Sequence, residues 1–265
     1  MDNNLSLSYV EVVVTTKCTL KCKDCANLIQ YYQLPYFIEI RTIKRSIERL
    51  LESVKSIARF RILGGETLLY PNLNEVVDML VKSDKIGAIQ IVTNGTIVPT
   101  NELLINALQN NKVSIAVSDY GNYSSKRKEL IEFGMKHKIA AISIPISRWI
   151  DYGGINHRDR SEEQLKKQYT KCASMNLNNT SLLNGKLFDC PRSAHGMDLG
   201  IVPKNTGEYI DLIDESKSID TIKKELSHMF HRCERFIQAC NYCDAAVNPT
   251  KFIVPAIQIN NDMKS

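Results

Sequence analysis

Short apolar runs alternate with amphipathic stretches between residues 9 and 147. Apolar runs of this length predict buried strands, whereas the stretches between them carry apolar residues at helical spacing, such as Ile43, Ile47, Leu50, Leu51 and Val54. Alternation of this kind is typical of strand–helix units around a parallel sheet. It predicts strands over 9–14, 59–63, 86–92, 112–117 and 139–146, and helices over 43–54 and 71–81.

Five or six such units predict an α/β fold, a partial (β/α)5–6 TIM-like barrel, because a closed barrel needs eight. The loops that follow the strands of a barrel gather at one end, where the chemistry takes place. Polar clusters follow four of the predicted strands, at residues 18–25, 64–66, 93–95 and 118–121. We therefore expect a functional site at that rim.

The pattern changes after about residue 150, where a polar, glycine-containing segment begins. Asn184-Gly185 then predicts a hairpin, since this pair suits a type I′ turn. We divide the chain into a barrel core (1–150), a connecting segment (151–171) and a small α+β unit (172–265).

Composition narrows the functional classes. The 265 residues include 34 basic and 29 acidic ones, a net charge of +5 that is too mild and mixed to require nucleic acid. No run approaches the ~18 apolar residues of a membrane span, and the first ten residues lack the features of a signal peptide. We expect a cytoplasmic protein without a membrane partner. Cytosolic thiols stay reduced, so the eight cysteines favour metal binding or catalysis.

Three cysteines, Cys18, Cys22 and Cys25, stand on one short loop after the first predicted strand. Their thiolates can reach three corners of a [4Fe–4S] cluster and leave the fourth iron open. A zinc site is an alternative, although zinc normally takes paired cysteine knuckles or histidines. Burial as ordinary core thiols is the other alternative, and the hydrophilic neighbours Lys21 and Lys23 argue against it.

The C-x3-C-x2-C spacing resembles the signature of the radical S-adenosylmethionine (SAM) superfamily. The resemblance implies a [4Fe–4S] cluster that binds and cleaves SAM to a 5′-deoxyadenosyl radical, which abstracts substrate hydrogen. It extends to Gly64, Gly65 and Glu66, which match the motif that contacts the methionyl amino group. Glycines allow close backbone approach, and a carboxylate accepts strong hydrogen bonds from an ammonium.

Further cofactor-binding candidates follow from the same resemblance. Asn94 and either Ser118 or Asp119 stand where the family often places ribose contacts, although each could instead cap a helix. Asp24 precedes the third cysteine, a position that is often aromatic in the family and lies beside the adenine. Asp24 is a cofactor-binding candidate because of this position. Since it is not aromatic, another residue must pack against the adenine.

A second group of cysteines follows residue 171. The spacing resembles the twitch module, a shortened relative of the SPASM module, and implies one auxiliary [4Fe–4S] cluster held by Cys172, Cys190, Cys240 and Cys243. A zinc ribbon on the same thiolates is the alternative. Cys233 is left over as an alternative ligand, an inert buried thiol or a hydrogen-atom donor.

These features predict a radical SAM enzyme acting on a small polar, carbohydrate-like or aminocyclitol substrate, by dehydrogenation or epimerisation. The chain resembles the 2-deoxy-scyllo-inosamine dehydrogenase type of enzyme in size and in its single auxiliary module. Catalytic candidates are Arg148, His195 and Cys233, with Arg148 or His195 as a possible base for a hydroxyl proton. An external one-electron donor, such as flavodoxin or ferredoxin, is the expected partner.

Three alternatives remain open. A peptide-modifying radical enzyme shares both cysteine modules, and an activase of a glycyl-radical enzyme shares the first. A non-catalytic metal-binding or electron-transfer protein is the third, although such a protein has no need of the motif at residues 64–66.

Overall fold

The computed structural model describes residues 5–230 and 235–259. The first part of the chain forms β1 (Ser6–Val13), α1 (Ile40–Ser53), β2 (Ser56–Leu63), α2 (Leu73–Val81), β3 (Ile86–Thr93), α3 (Glu102–Leu108), β4 (Val113–Asp119), α4 (Arg127–His137) and β5 (Ala140–Pro145). The later part forms β6 (Trp149–Ile150), α5 (Glu162–Lys171), α6 (Ala173–Asn176), β7 (Ser181–Leu183), β8 (Lys186–Phe188), α7 (Pro191–Asp198), β9 (Tyr209–Asp211), α8 (Ile219–Phe230) and β10 (Phe252–Ile253).

Strands β1 to β5 form the parallel part of one open sheet with the order β5-β4-β3-β2-β1-β7-β8-β9. All five predicted strands are present, each followed or preceded by a helix, which confirms the predicted α/β fold and partial barrel. No helix within the described residues is long and apolar enough to cross a membrane.

The two faces of the parallel strands differ in what covers them. Val10, Phe60 and Ile89 are adjacent in the sheet register and fully buried. They belong to the same hydrophobic core as the apolar positions of α1 and α2, among them Ile47 and Leu80. Burying one such side chain contributes about 1.5–3 kcal/mol. The opposite face of these strands, the inner face of the barrel, carries the polar residues that matter for the site.

The chain after α6 adds three strands to the same sheet. Strand β7 pairs parallel with β1, while β8 and β9 continue antiparallel from it. The predicted hairpin lies between β7 and β8, where Asn184 and Gly185 have φ values of 50° and 77°, as a type I′ turn requires. The segment after residue 172 therefore extends the barrel sheet and positions α7 beside the rim.

Candidate active site

The three cysteines of the loop after β1 share a cavity of about 390 Å³ at the carboxyl ends of the strands, which we call the barrel cavity. Its lining also includes predicted site residues from the ends of β2, β3 and β4, namely Gly64, Gly65, Asn94 and Ser118. Four separate loops thus meet around one space because their strands are parallel and adjacent.

Backbone contacts hold the cysteine loop against the end of β2. The Gly65 amide donates to the Thr15 carbonyl (2.9 Å), and the Glu66 amide donates to the Lys17 carbonyl (2.8 Å). A Cβ atom on Gly64 would lie 2.5 Å from the Thr15 oxygen, and one on Gly65 would collide with the Lys17 oxygen. These glycines therefore permit contact between two protein segments, in addition to any contact with a ligand.

The thiols of the loop are protonated groups in the absence of a metal. Burial raises the pKa of Cys18 to about 12 and that of Cys22 to about 11, and it also raises the pKa of Cys25. The backbone N–H of Leu20 donates to Cys18 Sγ (3.4 Å), and the Gln258 amide donates to Cys22 Sγ (3.2 Å). Thiolates at this site thus require a bound cation or metal that replaces the protons.

Glu66 is fully buried, and it is not among the residues that line the barrel cavity. Its Oε1 accepts from the Leu68 amide (2.9 Å) and the Thr93 hydroxyl (2.8 Å), and its Oε2 accepts from the Asn94 amide (2.8 Å). Burial raises the pKa of this carboxyl, whereas the three hydrogen bonds lower it by a smaller amount. The side chain predicted to meet an ammonium joins the ends of β2 and β3 in this structure.

The remaining cofactor candidates separate into two pairs. Asn94 lines the cavity and donates to the Thr19 hydroxyl (2.9 Å), and Ser118 lines it too. Asp119 instead pairs with Arg127 (3.1 Å) and lies outside the cavity lining. Asp24 also lies outside it, beside a smaller pocket. Whether a candidate lines the cavity depends on the direction of its side chain, and the spacing of residues in the sequence does not predict that direction.

None of the catalytic candidates in the described part of the chain lines the barrel cavity. Arg148 is exposed and stacks over the Phe252 ring (4.2 Å). His195 is fully buried on α7, where its Nδ1 hydrogen-bonds the Tyr32 hydroxyl (2.9 Å), and burial lowers its pKa to about 4. Cys233 lies outside the described residues. As proton acceptors for a substrate in the cavity, Arg148 and His195 are therefore misplaced in this structure.

Sequence reasoning missed several residues that do line the cavity. Glu11 and Arg61 enter it from the inner faces of β1 and β2, and Trp149 forms an edge-to-face pair there with Tyr120 of the predicted rim cluster (ring centroids 5.6 Å apart). A signal existed for the charged pair, because each interrupts an otherwise apolar strand. Trp149 gave none, since it follows the last predicted strand.

The second group of cysteines lines a separate cavity of about 120 Å³, which we call the second cavity. Its lining includes Cys172, Cys190, Cys240 and Cys243. Burial raises the pKa of the thiols at 190, 240 and 243. Three residues, Ala26, Tyr152 and Pro191, line both cavities, so the two sites adjoin. Within the described residues, no three His, Cys, Asp or Glu side chains converge on a single metal ion, whereas the ligands of a [4Fe–4S] cluster bind separate irons.

Two polar side chains hydrogen-bond the loop that carries Cys240 and Cys243. Arg160 donates to the carbonyls of Cys240 (2.5 Å) and Cys243 (2.8 Å), and Gln168 donates to the same two oxygens (3.0 and 2.5 Å). Arg160 also pairs with Asp244 (2.5 Å). In addition, Arg192 stacks over the Tyr152 ring (5.2 Å), and His157 pairs with Asp159 (2.8 Å).

Comparison with known families decides the identity of the first part. Residues 12–130 match the model of the Radical SAM superfamily. Residues 12–130 therefore resemble a radical SAM domain. Radical SAM proteins use a [4Fe–4S] cluster and SAM, so both predicted cofactors are confirmed at the level of the family.

Curated relatives match only part of this chain. A GTP 3′,8-cyclase of Stenotrophomonas maltophilia is 28% identical over 97 residues, which are 36% of this chain and 28% of that protein. One from Lactiplantibacillus plantarum is 32% identical over 90 residues, or 33% and 26% of the two chains. The subtilosin biosynthesis protein AlbA of Bacillus subtilis is 27% identical over 105 residues, or 40% and 22%. The chain therefore aligns with about a quarter of each relative.

Two solved structures resemble the radical SAM domain and the segment after it in fold. BtrN in complex with AdoMet and 2-DOIA has a TM-score of 0.55 at 17% identity, covering 91% of this chain and 94% of that one. The anSMEcpe structure with bound AdoMet has a TM-score of 0.54 at 15% identity, covering 86% and 79%. Similarity at these identities shows the fold alone, and it extends well beyond residue 130.

Proposed function

We propose that this radical SAM enzyme removes hydrogen from a small polar substrate of the carbohydrate or aminocyclitol class, and that the reaction ends in dehydrogenation or epimerisation. Cys18, Cys22 and Cys25 would hold the cluster, and the backbone at Gly64 and Gly65 with Asn94 and Ser118 would hold SAM. When bound, these cofactors supply a radical that abstracts hydrogen. The chain's own residues bind and orient the substrate and shield it from water. They also hold the group that accepts the released electron.

The contents of the barrel cavity support a small substrate. Its volume, about 390 Å³, is near the lower end of the range for small-molecule sites. Cofactor contacts occupy the loop side, which leaves the deeper part between Glu11, Arg61 and the aromatic pair for the substrate. Charged and aromatic side chains together suit a ring that carries hydroxyl or amino groups.

The adjoining cavities are the observation that carries the proposal. Oxidation of an alcohol carbon releases a second electron after the first hydrogen is removed, and a nearby acceptor is needed. Cys172, Cys190, Cys240 and Cys243 would hold one auxiliary [4Fe–4S] cluster, since buried thiols favour metal ligation over free thiolate. Tyr152, which lines both cavities, lies on the direct route between them. This arrangement favours dehydrogenation over epimerisation.

Two relatives define the competing substrates. The segment shared with AlbA, a bacteriocin biosynthesis protein, favours a peptide substrate, and the segment shared with the cyclases favours GTP. In the deep part of the barrel cavity Arg61 is bridged to Glu11 through the Tyr9 hydroxyl, which leaves no excess positive charge there for a triphosphate. We also propose a cytoplasmic location, with flavodoxin or ferredoxin as the electron donor.

Anaerobic reconstitution tests the proposal. The holoenzyme, reduced in the presence of SAM, should contain about eight irons per chain from two cubane clusters and no zinc, and it should release 5′-deoxyadenosine. Addition of an aminocyclitol should give a ketone, whereas GTP and a precursor peptide should remain unchanged. An intact first cluster without deoxyadenosine would overturn the enzyme assignment, and zinc in place of iron at the second site would remove its electron-accepting role.

A further inference from the structure

A polar layer crosses the inner face of the barrel below the cysteine loop. The hydrogen-bond register aligns one residue from each of five neighbouring strands in this row: Ser181, Glu11, Arg61, Gln90 and Ser114. Barrel interiors are usually filled by branched apolar side chains at this depth. A carboxylate and a guanidinium in such a layer lose hydration, so the fold tolerates them only where other groups satisfy them.

The charged pair is satisfied on one side by Tyr9. The Tyr9 hydroxyl donates to Glu11 Oε2 (2.8 Å), and Arg61 Nη1 donates to the same hydroxyl oxygen (2.7 Å). Tyr9 lies two residues before Glu11 on β1 and thus on the same face of the sheet. The hydroxyl therefore bridges the two charges and fixes the direction of both side chains.

On the other side, three buried polar atoms of this row are without a geometric hydrogen-bond partner among the described residues. These atoms are Glu11 Oε1, an acceptor, Arg61 Nε, a donor, and the hydroxyl oxygen of Ser181, which lies close enough to Glu11 to lower the pKa of its carboxyl. The side chains of Glu11 and Arg61 line the barrel cavity, and Glu11 is only 5% exposed. Buried polar groups are rarely left unpaired, because each loses its hydrogen bonds to water. An acceptor and a donor on neighbouring strands, both unpaired, match a ligand group that can donate and accept at once.

We propose that Glu11 and Arg61 bind an alcohol hydroxyl of the substrate, which donates to Glu11 Oε1 and accepts from Arg61 Nε. The site rests on the proposed function, since it supplies the contact for a small hydroxylated substrate. A carboxylate or phosphate in the same position would face Glu11 without a proton to donate. The site therefore selects cyclitols and sugars over anions.

The protonation of Glu11 supports this geometry. Burial raises the pKa of its carboxyl to about 7, while the Tyr9 hydrogen bond and the Arg61 charge act in the opposite direction. The charged group that faces it is Arg61 on β2, while burial raises the pKa of Tyr9 and keeps its hydroxyl neutral. Ser181 faces it from β7 and also lowers the pKa of the carboxyl. Above pH 7 the ionised carboxylate can therefore accept the hydrogen bond of a hydroxyl.

Calorimetry on the anaerobic holoenzyme with SAM tests the site. The probes are myo-inositol and 2-deoxystreptamine. Arg61→Lys keeps the charge but removes Nε, and Glu11→Leu removes the acceptor; each should weaken probe binding at least about tenfold, as expected for loss of a hydrogen bond to a charged group. Arg59→Lys is the matched control, because Arg59 is an exposed arginine on the same strand. Iron content should match the parent in all three variants as a check on folding, and Arg59→Lys should also match it in deoxyadenosine formation without substrate.

Two results would overturn the site. One is unchanged probe binding in both Arg61→Lys and Glu11→Leu when their iron content shows that they are folded, since Glu11→Gln would keep an oxygen acceptor. The other is a parent holoenzyme that cleaves SAM yet binds neither probe. Failure of the proposed function gives a different result, namely no deoxyadenosine from an intact first cluster, whatever the probes do.

A second inference comes from the segment after β10, which pairs with the cysteine loop. The Lys23 amide donates to the Ile257 carbonyl (2.7 Å), and the Ile259 amide donates to the Lys21 carbonyl (2.8 Å). Between them, the Gln258 side chain accepts from the Lys21 amide (2.7 Å) and donates to Cys22 Sγ (3.2 Å). This glutamine thus bonds both the backbone and a sulfur of the loop.

We infer that Gln258 is a positioning residue that raises the reduction potential of the first cluster, because hydrogen bonds to ligand sulfurs stabilise the reduced, more negative state. Gln258→Leu should shift the potential to a more negative value in an EPR-monitored redox titration. Gln109→Leu, which removes a glutamine that bonds the end of α4, is the control. An unchanged potential in Gln258→Leu would overturn the inference. If Cys22→Ala still assembled the first cluster, the ligand assignment itself would be wrong.

Discussion

The two cysteine sites adjoin but are built differently. The first stands on strand ends and backbone contacts, and its cavity of about 390 Å³ keeps unpaired polar groups on its deep side. The second has a cavity of about 120 Å³, and the side chains of Arg160 and Gln168 hydrogen-bond the backbone of its cysteine loop. The first geometry leaves room for ligands, whereas the second encloses what its thiols bind. The difference predicts that one site performs chemistry and the other stores an electron.

Loss of a single thiol should separate these roles most sharply. Cys18→Ala should lower the iron content by about four per chain and abolish deoxyadenosine formation. Cys240→Ala should lower the iron content by the same amount but keep some SAM cleavage while product formation stops. Iron analysis with deoxyadenosine and product assays measures all three quantities. Product turnover that survives in Cys240→Ala would remove the second site from the reaction.

The backbone contact at the first site should be the next most sensitive feature. Gly65→Ala pushes a methyl group into the Lys17 carbonyl and should reduce the free energy of unfolding by about 3 kcal/mol, the upper range for overpacking. Gly207→Ala is the matched control, since its new methyl group would meet its nearest neighbour at an ordinary 3.5 Å. Denaturant unfolding of both variants measures the difference. Equal stability of the two would mean that the loop shifts freely and that the first site is not preformed.

Side chains should matter more at the second site. Arg160→Met removes hydrogen bonds to the carbonyls of Cys240 and Cys243 and the ion pair with Asp244. It should therefore lower the free energy of unfolding by about 2 kcal/mol. Iron should dissociate faster from the second site than from the first in this variant. Arg45→Met, which breaks a half-exposed ion pair on α1, should leave both unchanged. Equal iron loss from the two sites would contradict the distinction.

The sequence predicted the parts of the molecule that depend on periodicity and local spacing. The five strands, the loops that meet at the rim and the hairpin at Asn184 all follow from patterns within a few residues. Side-chain direction does not. Glu66 and His195 are polar residues in predicted site segments, yet tertiary packing turns both toward protein partners. Glu11 stands in an apolar strand, and only the register with Arg61 shows that it belongs to the cavity.

A hydrogen-bond network around the buried His195 links the segments that follow the two cysteine groups and should respond to pH. Tyr32, from the segment after the first cysteines, hydrogen-bonds His195 Nδ1 (2.9 Å) and donates to Asp198 (2.8 Å), both on the helix that begins after Cys190. Burial lowers the pKa of His195 from 6.5 to about 4. The folded state therefore binds fewer protons than the unfolded state, so this stability is fully present above pH 6.5 and is lost as the pH falls towards 4.

Between pH 7.5 and 5.5 the loss should be about 1 kcal/mol, because the unfolded state takes up the proton that the buried imidazole refuses. His195→Gln removes the titrating group and should flatten this part of the curve. Glu11 contributes with the opposite sign, since its raised pKa costs stability as the pH rises towards 7. The comparison is therefore the difference between parent and His195→Gln at each pH, measured by denaturant unfolding. If the free energies of unfolding of the two proteins changed in parallel with pH, protonation of His195 would not be what destabilises the folded state.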